Sequence, residues 1–81
     1  MNTDVKASIL RTATRLFAKR GFSGTSIQAI AEDVGIRKPS LLYHYSSKEL
    51  LREAVLSDLV ARWQVAFRVR LHFDRRAGAL V

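Results

Sequence analysis

Apolar residues recur every three or four positions over two stretches in the first half of the chain. The first stretch covers residues 5–20 and predicts a helix with one apolar and one cationic face, begun by Thr3 or Asp4 as its N-cap. The second predicts a helix that begins after Thr25 or Ser26 and ends at Gly35. The apolar positions of the two helices are Ile9, Leu10, Ala13, Leu16 and Phe17, followed by Ile27, Ile30, Ala31 and Val34.

A third helix, over residues 38–45, is predicted from the residues at its start. Gly35 can adopt a positive φ and turn the chain out of the second helix, and Pro39 suits only the first turn of a new one. A turn of about three or four residues between two helices is typical of a helix-turn-helix. Leu41 and Tyr45 lie four positions apart and share an inward face. The opposite face carries Ser40, Tyr43 and His44.

A fourth, longer helix is predicted from Lys48 to about residue 64. Ser46 and Glu49 have the spacing of a capping box at its start, and Ser47 is an alternative cap. Its apolar positions are Leu50, Leu51, Ala54, Val55, Leu59 and Trp63.

The pattern changes after residue 64. Apolar and polar residues alternate from Phe67 to Asp74, which suits a strand, although Trp63, Phe67 and Leu71 also have helical spacing. Both interpretations stay open, and residues 75–81 are expected to form a frayed tail. We therefore divide the chain into a helix-turn-helix domain (1–47), a linking fourth helix (48–64) and an atypical or frayed C-terminal tail (65–81).

Charge indicates what kind of partner this fold has. Fourteen Lys and Arg residues against seven Asp and Glu give the 81-residue chain a net charge of +7. Small basic domains of this kind bind nucleic acid or an anionic surface. Residues 35–48 gather three cations, two tyrosines, one histidine and three serines without a carboxylate. This segment is therefore the candidate contact with a polyanion.

Composition argues against several other classes of protein. The chain has no cysteine, which removes disulfides, thiolate zinc sites and a cysteine nucleophile. It has neither an apolar run of about 18 residues nor a signal sequence, so we expect a cytoplasmic protein. The sequence contains no Ser-His-acid order, no glycine-rich phosphate loop and no carboxylate pair in a plausible pocket. We therefore expect no enzyme activity, no cofactor and no metal site.

Five segments, in this order and at this spacing, resemble the DNA-binding domain of TetR-type transcriptional regulators. They are residues 16–22, 24–26, 30–36, 41–45 and 47–51, within a match that covers about residues 5–60. The resemblance implies an all-α fold in which a three-helix, homeodomain-like helix-turn-helix bundle is followed by a long fourth helix. It also implies that the third helix enters the major groove of double-stranded DNA.

The resemblance extends to individual DNA-binding residues. Thr25 and Ser26 match positions that contact the DNA backbone, and Lys48 matches a phosphate contact at the start of the fourth helix. The residues that match the groove-facing set are Lys38, Pro39, Ser40, Leu42, Tyr43 and His44.

Two positions depart from the family pattern. Leu42 stands where Tyr is common, which removes a hydroxyl and lets this side chain turn toward the core. Arg37 stands where Ser is frequent, which weakens a helix cap and adds a further candidate phosphate contact. Base preference therefore cannot be transferred from a relative.

The resemblance implies a repressor that binds a pseudo-palindromic operator as a homodimer. Family members usually continue well beyond 81 residues, into a domain that holds the effector pocket and the main dimer contacts. We therefore expect a fragment or truncated form, with the homodimer and a small-molecule effector belonging to a longer parent. In the alternative interpretation, the chain dimerises through its fourth helix and tail.

Two other functions remain as rivals. The first is a protein-interaction module that has lost DNA binding, or a truncated subunit that pairs with a full-length relative. The second is a basic amphipathic peptide that acts on anionic membranes. Short helices that are capped and interrupted argue against this second function, and we expect no membrane contact.

Overall fold

The computed structural model describes residues 4–79, with the side chains of residues 4–68 and 70. Its elements are four helices, which we label α1 to α4 in chain order. This arrangement confirms the predicted all-α fold. The helices are α1 (Val5–Arg20), α2 (Ile27–Val34), α3 (Lys38–His44) and α4 (Lys48–Ala79).

The first two helices begin at polar caps. The Asp4 carboxylate accepts a hydrogen bond of 3.3 Å from the Ala7 N–H, and the Ser26 hydroxyl oxygen accepts one of 3.0 Å from the Ala29 N–H. Each cap satisfies an N–H group that has no partner within its own helix. Asp4 and Ser26 are therefore the caps, and the alternative cap Thr3 lies outside the described residues.

The start of α4 differs from one of the two predicted arrangements. The Ser47 hydroxyl oxygen accepts a hydrogen bond of 3.1 Å from the Leu50 N–H, and the helix begins at Lys48. A capping box begun by Ser46 would need the helix to start one residue earlier, at Ser47. The alternative cap, Ser47, is therefore the one that the structure contains.

The turn between α2 and α3 is closed by backbone hydrogen bonds. Gly35 has φ 90° and ψ 30°, a left-handed conformation that favours glycine. The Ile36 N–H donates to the Ala31 carbonyl oxygen (3.0 Å) and the Gly35 N–H donates to the Glu32 carbonyl oxygen (3.2 Å). These are the two hydrogen bonds of a Schellman motif, which ends α2. Pro39 lies in the first turn of α3, as predicted, and Ile36 packs against the core.

The loop between α1 and α2 is held by a buried threonine. The Thr25 side chain is 1% exposed, and its hydroxyl oxygen lies 3.1 Å from the Leu16 carbonyl oxygen and 2.9 Å from that of Gly21. A Cβ atom at Gly24 would overlap the Arg20 carbonyl oxygen, so the chain passes too close here for a side chain. Thr25 thus ties the loop back to the end of α1.

The core lies between α1 and the other three helices, all of which α1 contacts. Tyr45 and six other partly buried hydrophobic residues pack around its edge. The buried apolar side chains are Ile9, Ala13 and Leu16 from α1, Ile30 and Ala31 from α2, Leu41 from α3, and Leu51 and Val55 from α4.

The fourth helix is longer than predicted. It continues to Ala79, so the predicted end near residue 64 is wrong. Of the two interpretations of Phe67 to Asp74, the helix is therefore the correct one. A single strand here would leave its backbone groups without a partner, whereas a helix satisfies them internally. Residues 75–79, which were expected to belong to a frayed tail, are part of this helix, and residues 80 and 81 lie outside the described residues. The division of the chain into three parts stays a prediction.

The Tyr45 phenol should make stability sensitive to alkaline pH. Burial raises the pKa of Tyr45 above its usual value of 10.0, and the carboxylates of Asp4 and Asp58 raise it further. Above about pH 10 the unfolded chain loses this proton more readily than the folded chain, so stability falls as pH rises. Tyr45→Phe should therefore show a shallower loss of unfolding free energy than the wild type above about pH 10 in urea titrations.

The matched control for this measurement is Tyr43→Phe. Tyr43 is 85% exposed, so Tyr43→Phe removes the same hydroxyl group from a tyrosine that does not pack against the core. Equal slopes for Tyr45→Phe and the wild type would contradict the assigned role of the Tyr45 phenol.

Candidate DNA-binding surface

The α3 helix has one face in the core and one face in solvent. Leu41 is fully buried and Tyr45, at the C-terminal cap, packs against the core edge. Ser40 and Tyr43 lie on the other side of the helix, where Ser40 is exposed and Tyr43 is 85% exposed. The division agrees with the prediction for these four residues, whereas His44, which was predicted to share the exposed face, is half-buried. The exposed face presents the hydroxyl groups of Ser40 and Tyr43 to a partner.

Cations flank the exposed face of α3 without acidic neighbours in sequence. Arg37, Lys38 and Pro39 are exposed, and Arg37 caps α3 without a side-chain hydrogen bond. Among the side chains that the structure describes, the ion pairs are Arg15 with Asp33 and Arg62 with Asp58. Neither of these ion pairs includes Arg37 or Lys38, so neither Asp33 nor Asp58 neutralises their charges.

Two predicted groove-facing residues are only partly accessible. Leu42 is half-buried and packs against the core, in keeping with its departure from the family pattern. His44 is also half-buried, and its ring meets the Tyr43 ring edge-to-face, with centroids 5.2 Å apart. The Tyr43 and His44 polar groups thus share one end of α3, where both can donate to a phosphate oxygen.

Lys48 is positioned by an aromatic ring from the loop between α1 and α2. Its ammonium nitrogen lies 4.2 Å from the Phe22 ring centroid, and the Arg52 guanidinium carbon lies 5.1 Å from the same centroid. Phe22 in turn packs against Phe17, with centroids 5.4 Å apart. Contacts of this kind contribute about 0.5–1 kcal/mol at an exposed site. They hold a cation next to the first N–H groups of α4, which are also electropositive.

Nothing in the sequence pattern indicates that Phe22 supports Lys48. Phe22 lies in the loop between α1 and α2, and 26 positions separate it from Lys48 in the chain. Arg52 was not among the predicted contacts either, because a single cation on an exposed helix is an ordinary surface residue. Only the packing of α1 against α4 brings these side chains together.

Thr25 and Ser26, the two residues before α2 that are predicted to contact the DNA backbone, differ in burial. Thr25 is buried and its hydroxyl is engaged with carbonyl oxygens of the protein, so its side chain is not available to DNA. Ser26 is exposed. Its oxygen accepts the capping hydrogen bond from Ala29, which leaves its own O–H free to donate. Of this pair, Ser26 alone can contact DNA through its side chain.

None of the helices in the described part of the chain meets the length and hydropathy required to cross a membrane. Within the same residues, no three metal-ligand side chains gather into a cluster.

Comparison with known proteins shows which protein family the chain is similar to. A family model described as "Bacterial regulatory proteins, tetR family" matches residues 9–55. No solved structure matches the chain.

Three curated proteins are similar to the chain over part of their length. The HTH-type transcriptional regulator RutR of Escherichia coli (strain K12) is 43% identical over 58 residues, which cover 72% of this chain and 27% of RutR. The biofilm operon icaADBC HTH-type negative transcriptional regulator IcaR of Staphylococcus epidermidis is 35% identical over 71 residues, which cover 86% of this chain and 37% of IcaR. The uncharacterized HTH-type transcriptional regulator YerO of Bacillus subtilis is 50% identical over 46 residues, which cover 57% of this chain and 16% of YerO.

The chain therefore spans well under half the length of these relatives. The family match contains most of the first helix, both helices of the helix-turn-helix and the start of α4. The chain belongs to the TetR family of bacterial regulatory proteins and carries the helix-turn-helix domain of that family.

Proposed function

We propose that this chain binds double-stranded DNA sequence-specifically and represses transcription by occupying its operator. The observation that supports the proposal is the division of α3, with Leu41 buried and Ser40 and Tyr43 exposed. A helix anchored on one face and polar on the other can enter the major groove, which is wide enough to admit it. The adjacent cations supply the attraction to phosphate that accounts for much of the affinity.

In this proposal, the first turns of α3 read the bases. Lys38 can donate to a guanine edge and Ser40 is a tolerant partner for several bases. Pro39 is exposed and can pack against a thymine methyl group, and Leu42 can do so only through the part of its side chain outside the core.

A second group of residues contacts phosphates and positions α3. Contacts of this kind set the register of a protein on the duplex without carrying sequence information. Lys48 suits this role because Phe22 limits the movement of its ammonium group. The other residues of the group are Ser26, Arg37, Tyr43 and His44.

The operator is a pseudo-palindrome bound by two copies in this proposal. Two-fold symmetric helix-turn-helix proteins place their recognition helices in successive major grooves, about 34–36 Å apart. Repression is supported by the name of the relative IcaR, a negative transcriptional regulator. Control by a small-molecule effector, and the main homodimer contacts, are proposed only for a longer form that includes a further domain.

Selection from random duplex DNA at two salt concentrations tests the function as a whole. We expect enrichment of an inverted repeat whose affinity falls as salt rises, because phosphate contacts release counterions. The mass of the complex, measured in solution, should show two copies on each enriched duplex. Salt-sensitive binding without an enriched sequence would contradict sequence specificity, and no binding at either salt concentration would contradict the whole proposal.

Lys48→Ala tests the phosphate contacts. The variant should bind every duplex more weakly, and the slope of log affinity against log salt should become shallower by about one unit. Arg68→Ala is the matched control, since it removes one cation from the exposed surface of the same helix, about 30 Å further along its axis. An equal effect of both variants would show that net charge, and not the position of Lys48, is responsible.

Lys38→Ala and Ser40→Ala test base reading. Each should change the preferred base at particular operator positions by about 1–3 kcal/mol, because a hydrogen bond to a base edge is lost. Repeating the selection with each variant measures this change, and the Lys48→Ala selection should return the wild-type sequence. Unchanged base preferences in both α3 variants would contradict their assignment as base-reading residues.

A further inference from the structure

Two cations of α4 lie against the same aromatic ring, which comes from the loop between α1 and α2. The Lys48 ammonium nitrogen is 4.2 Å from the Phe22 ring centroid, and the Arg52 guanidinium carbon is 5.1 Å from it. The two charges are therefore at most about 9 Å apart, the sum of these distances. Arg52 is exposed and Lys48 is partly exposed, so a partner in solvent can reach both. We name these three residues the Phe22 cation cluster.

The carboxylates at the start of α4 do not neutralise the Phe22 cation cluster. Lys48 and Arg52 lie four positions apart and share one face of the helix. Glu49 and Glu53 share a face about 100° further around it. The ion pairs among the side chains that the structure describes include none of these four residues. The cluster therefore holds two positive charges with which neither glutamate pairs.

The spacing of the two cations is unfavourable for α4 by itself. Like charges four positions apart on a helix repel each other. The Phe22 ring offsets part of this repulsion, since a cation is attracted to the face of an aromatic ring. An anion that contacts both cations would offset it more completely, because each cation would then lie beside an opposite charge. The arrangement therefore favours the binding of an anionic group more than it favours folding.

The Phe22 ring leaves hydrogen-bond donors of both cations available to a partner. A guanidinium has five N–H donors in its plane, and an ammonium group has three. A cation is attracted to a ring face by the charge distribution of the ring, so this contact leaves N–H groups for other acceptors. Phosphate oxygens form short, strong hydrogen bonds with charged donors. The cluster can therefore bind phosphate without breaking its contacts with the ring.

The Phe22 cation cluster adjoins the surface that the proposed function assigns to the DNA backbone. Lys48 begins α4 shortly after the end of α3, and Phe22 lies four positions before Ser26 in the loop that leads to α2. Both Lys48 and Ser26 are candidate phosphate contacts. Arg52 lies one turn further along α4, about 6 Å from Lys48 along the helix axis. A DNA backbone that contacts Lys48 is therefore within reach of the long Arg52 side chain.

We propose that Arg52 is a further contact with a backbone phosphate of DNA, and that Phe22 is the positioning residue that holds Arg52 and Lys48 toward neighbouring phosphates. The assignment rests on the proposed function, because it takes DNA as the anionic partner. Restricting two long side chains before binding reduces the conformational entropy that they lose when they contact phosphates. Backbone contacts carry no sequence information, so the cluster adds affinity without adding a base preference.

Binding of the full chain to a labelled duplex of arbitrary sequence tests Arg52, because backbone contacts do not depend on sequence. At about 0.1 M salt, Arg52→Ala should weaken binding about tenfold, and the slope of log affinity against log salt should become shallower by about one unit. The variant with both Lys48→Ala and Arg52→Ala should lose about two units. Arg68→Ala is the matched control, since it removes an exposed arginine of the same helix outside the cluster. Its slope should stay near that of the wild type.

The outcome for Arg52 can be separated from the outcome for the proposed function. If Lys48→Ala makes the salt dependence shallower while Arg52→Ala behaves like Arg68→Ala, Arg52 is not a phosphate contact and the proposed function is unaffected. A wild-type chain that binds no duplex would contradict both. Binding to vesicles of anionic phospholipid and to no duplex, weakened by Arg52→Ala, would assign the cluster to a membrane surface and overturn the proposal.

Phe22→Leu tests the positioning role, because it removes the ring and keeps an apolar side chain. Affinity for the same duplex should fall about two- to fivefold, the equivalent of one exposed cation–π contact. Phe22→Tyr keeps a ring and should retain the wild-type affinity. In the variant that lacks both cations, Phe22→Leu should have no further effect, since the ring then has no cation to hold. Circular dichroism should confirm that each variant is helical.

Two results would overturn the positioning role of Phe22. One is an equal loss of affinity on Phe22→Leu with and without the two cations, because the ring would then act through the fold alone. The other is a gain in affinity on Phe22→Leu, because the ring would then compete with phosphate for Lys48 and Arg52.

Discussion

The burial of Leu41 is the interaction on which the arrangement of the candidate DNA-binding surface depends. The α3 helix has seven residues, too few to be stable in water without tertiary contacts. Leu41 is its fully buried side chain, and Tyr45 and Leu42 add partial burial at the core edge. Because these residues point inward, the helical repeat turns Ser40 and Tyr43 outward, so the core itself orients the polar face.

Charge is distributed in a way that separates stability from binding. The described core contains apolar side chains and one polar residue, Thr25, whose hydroxyl has partners within the protein. Arg37 and Lys38 lie outside it, where they add little to folding and much to attraction for a polyanion. Lys48 combines both roles, because its contact with the Phe22 ring also helps to link the loop between α1 and α2 to α4.

The helix-turn-helix is predictable from the sequence because its signals are local. Gly35 is strongly favoured where the chain needs a positive φ, and Pro39 restricts the start of α3, so both boundaries follow from the chemistry of single residues. Neighbouring caps were harder to separate. Ser46 and Ser47 offer the same hydroxyl, and a shift of one residue in the helix start decides between them. Thr25 and Ser26 differ in burial, which neither residue type indicates.

The sequence by itself determined the class of fold, the positions of the first three helices, the inward and outward faces of α3 and the cationic character of its surroundings. These features depend on residues within one or two helical turns of each other. Tertiary structure alone decided that Thr25 is buried, that Phe22 supports Lys48, and that α4 leaves the core and continues as a helix to Ala79. The burial of Thr25 and the contact between Phe22 and Lys48 depend on how α1 packs against residues distant in the chain. The helical conformation after residue 64 depends on whether this segment has a strand with which to pair.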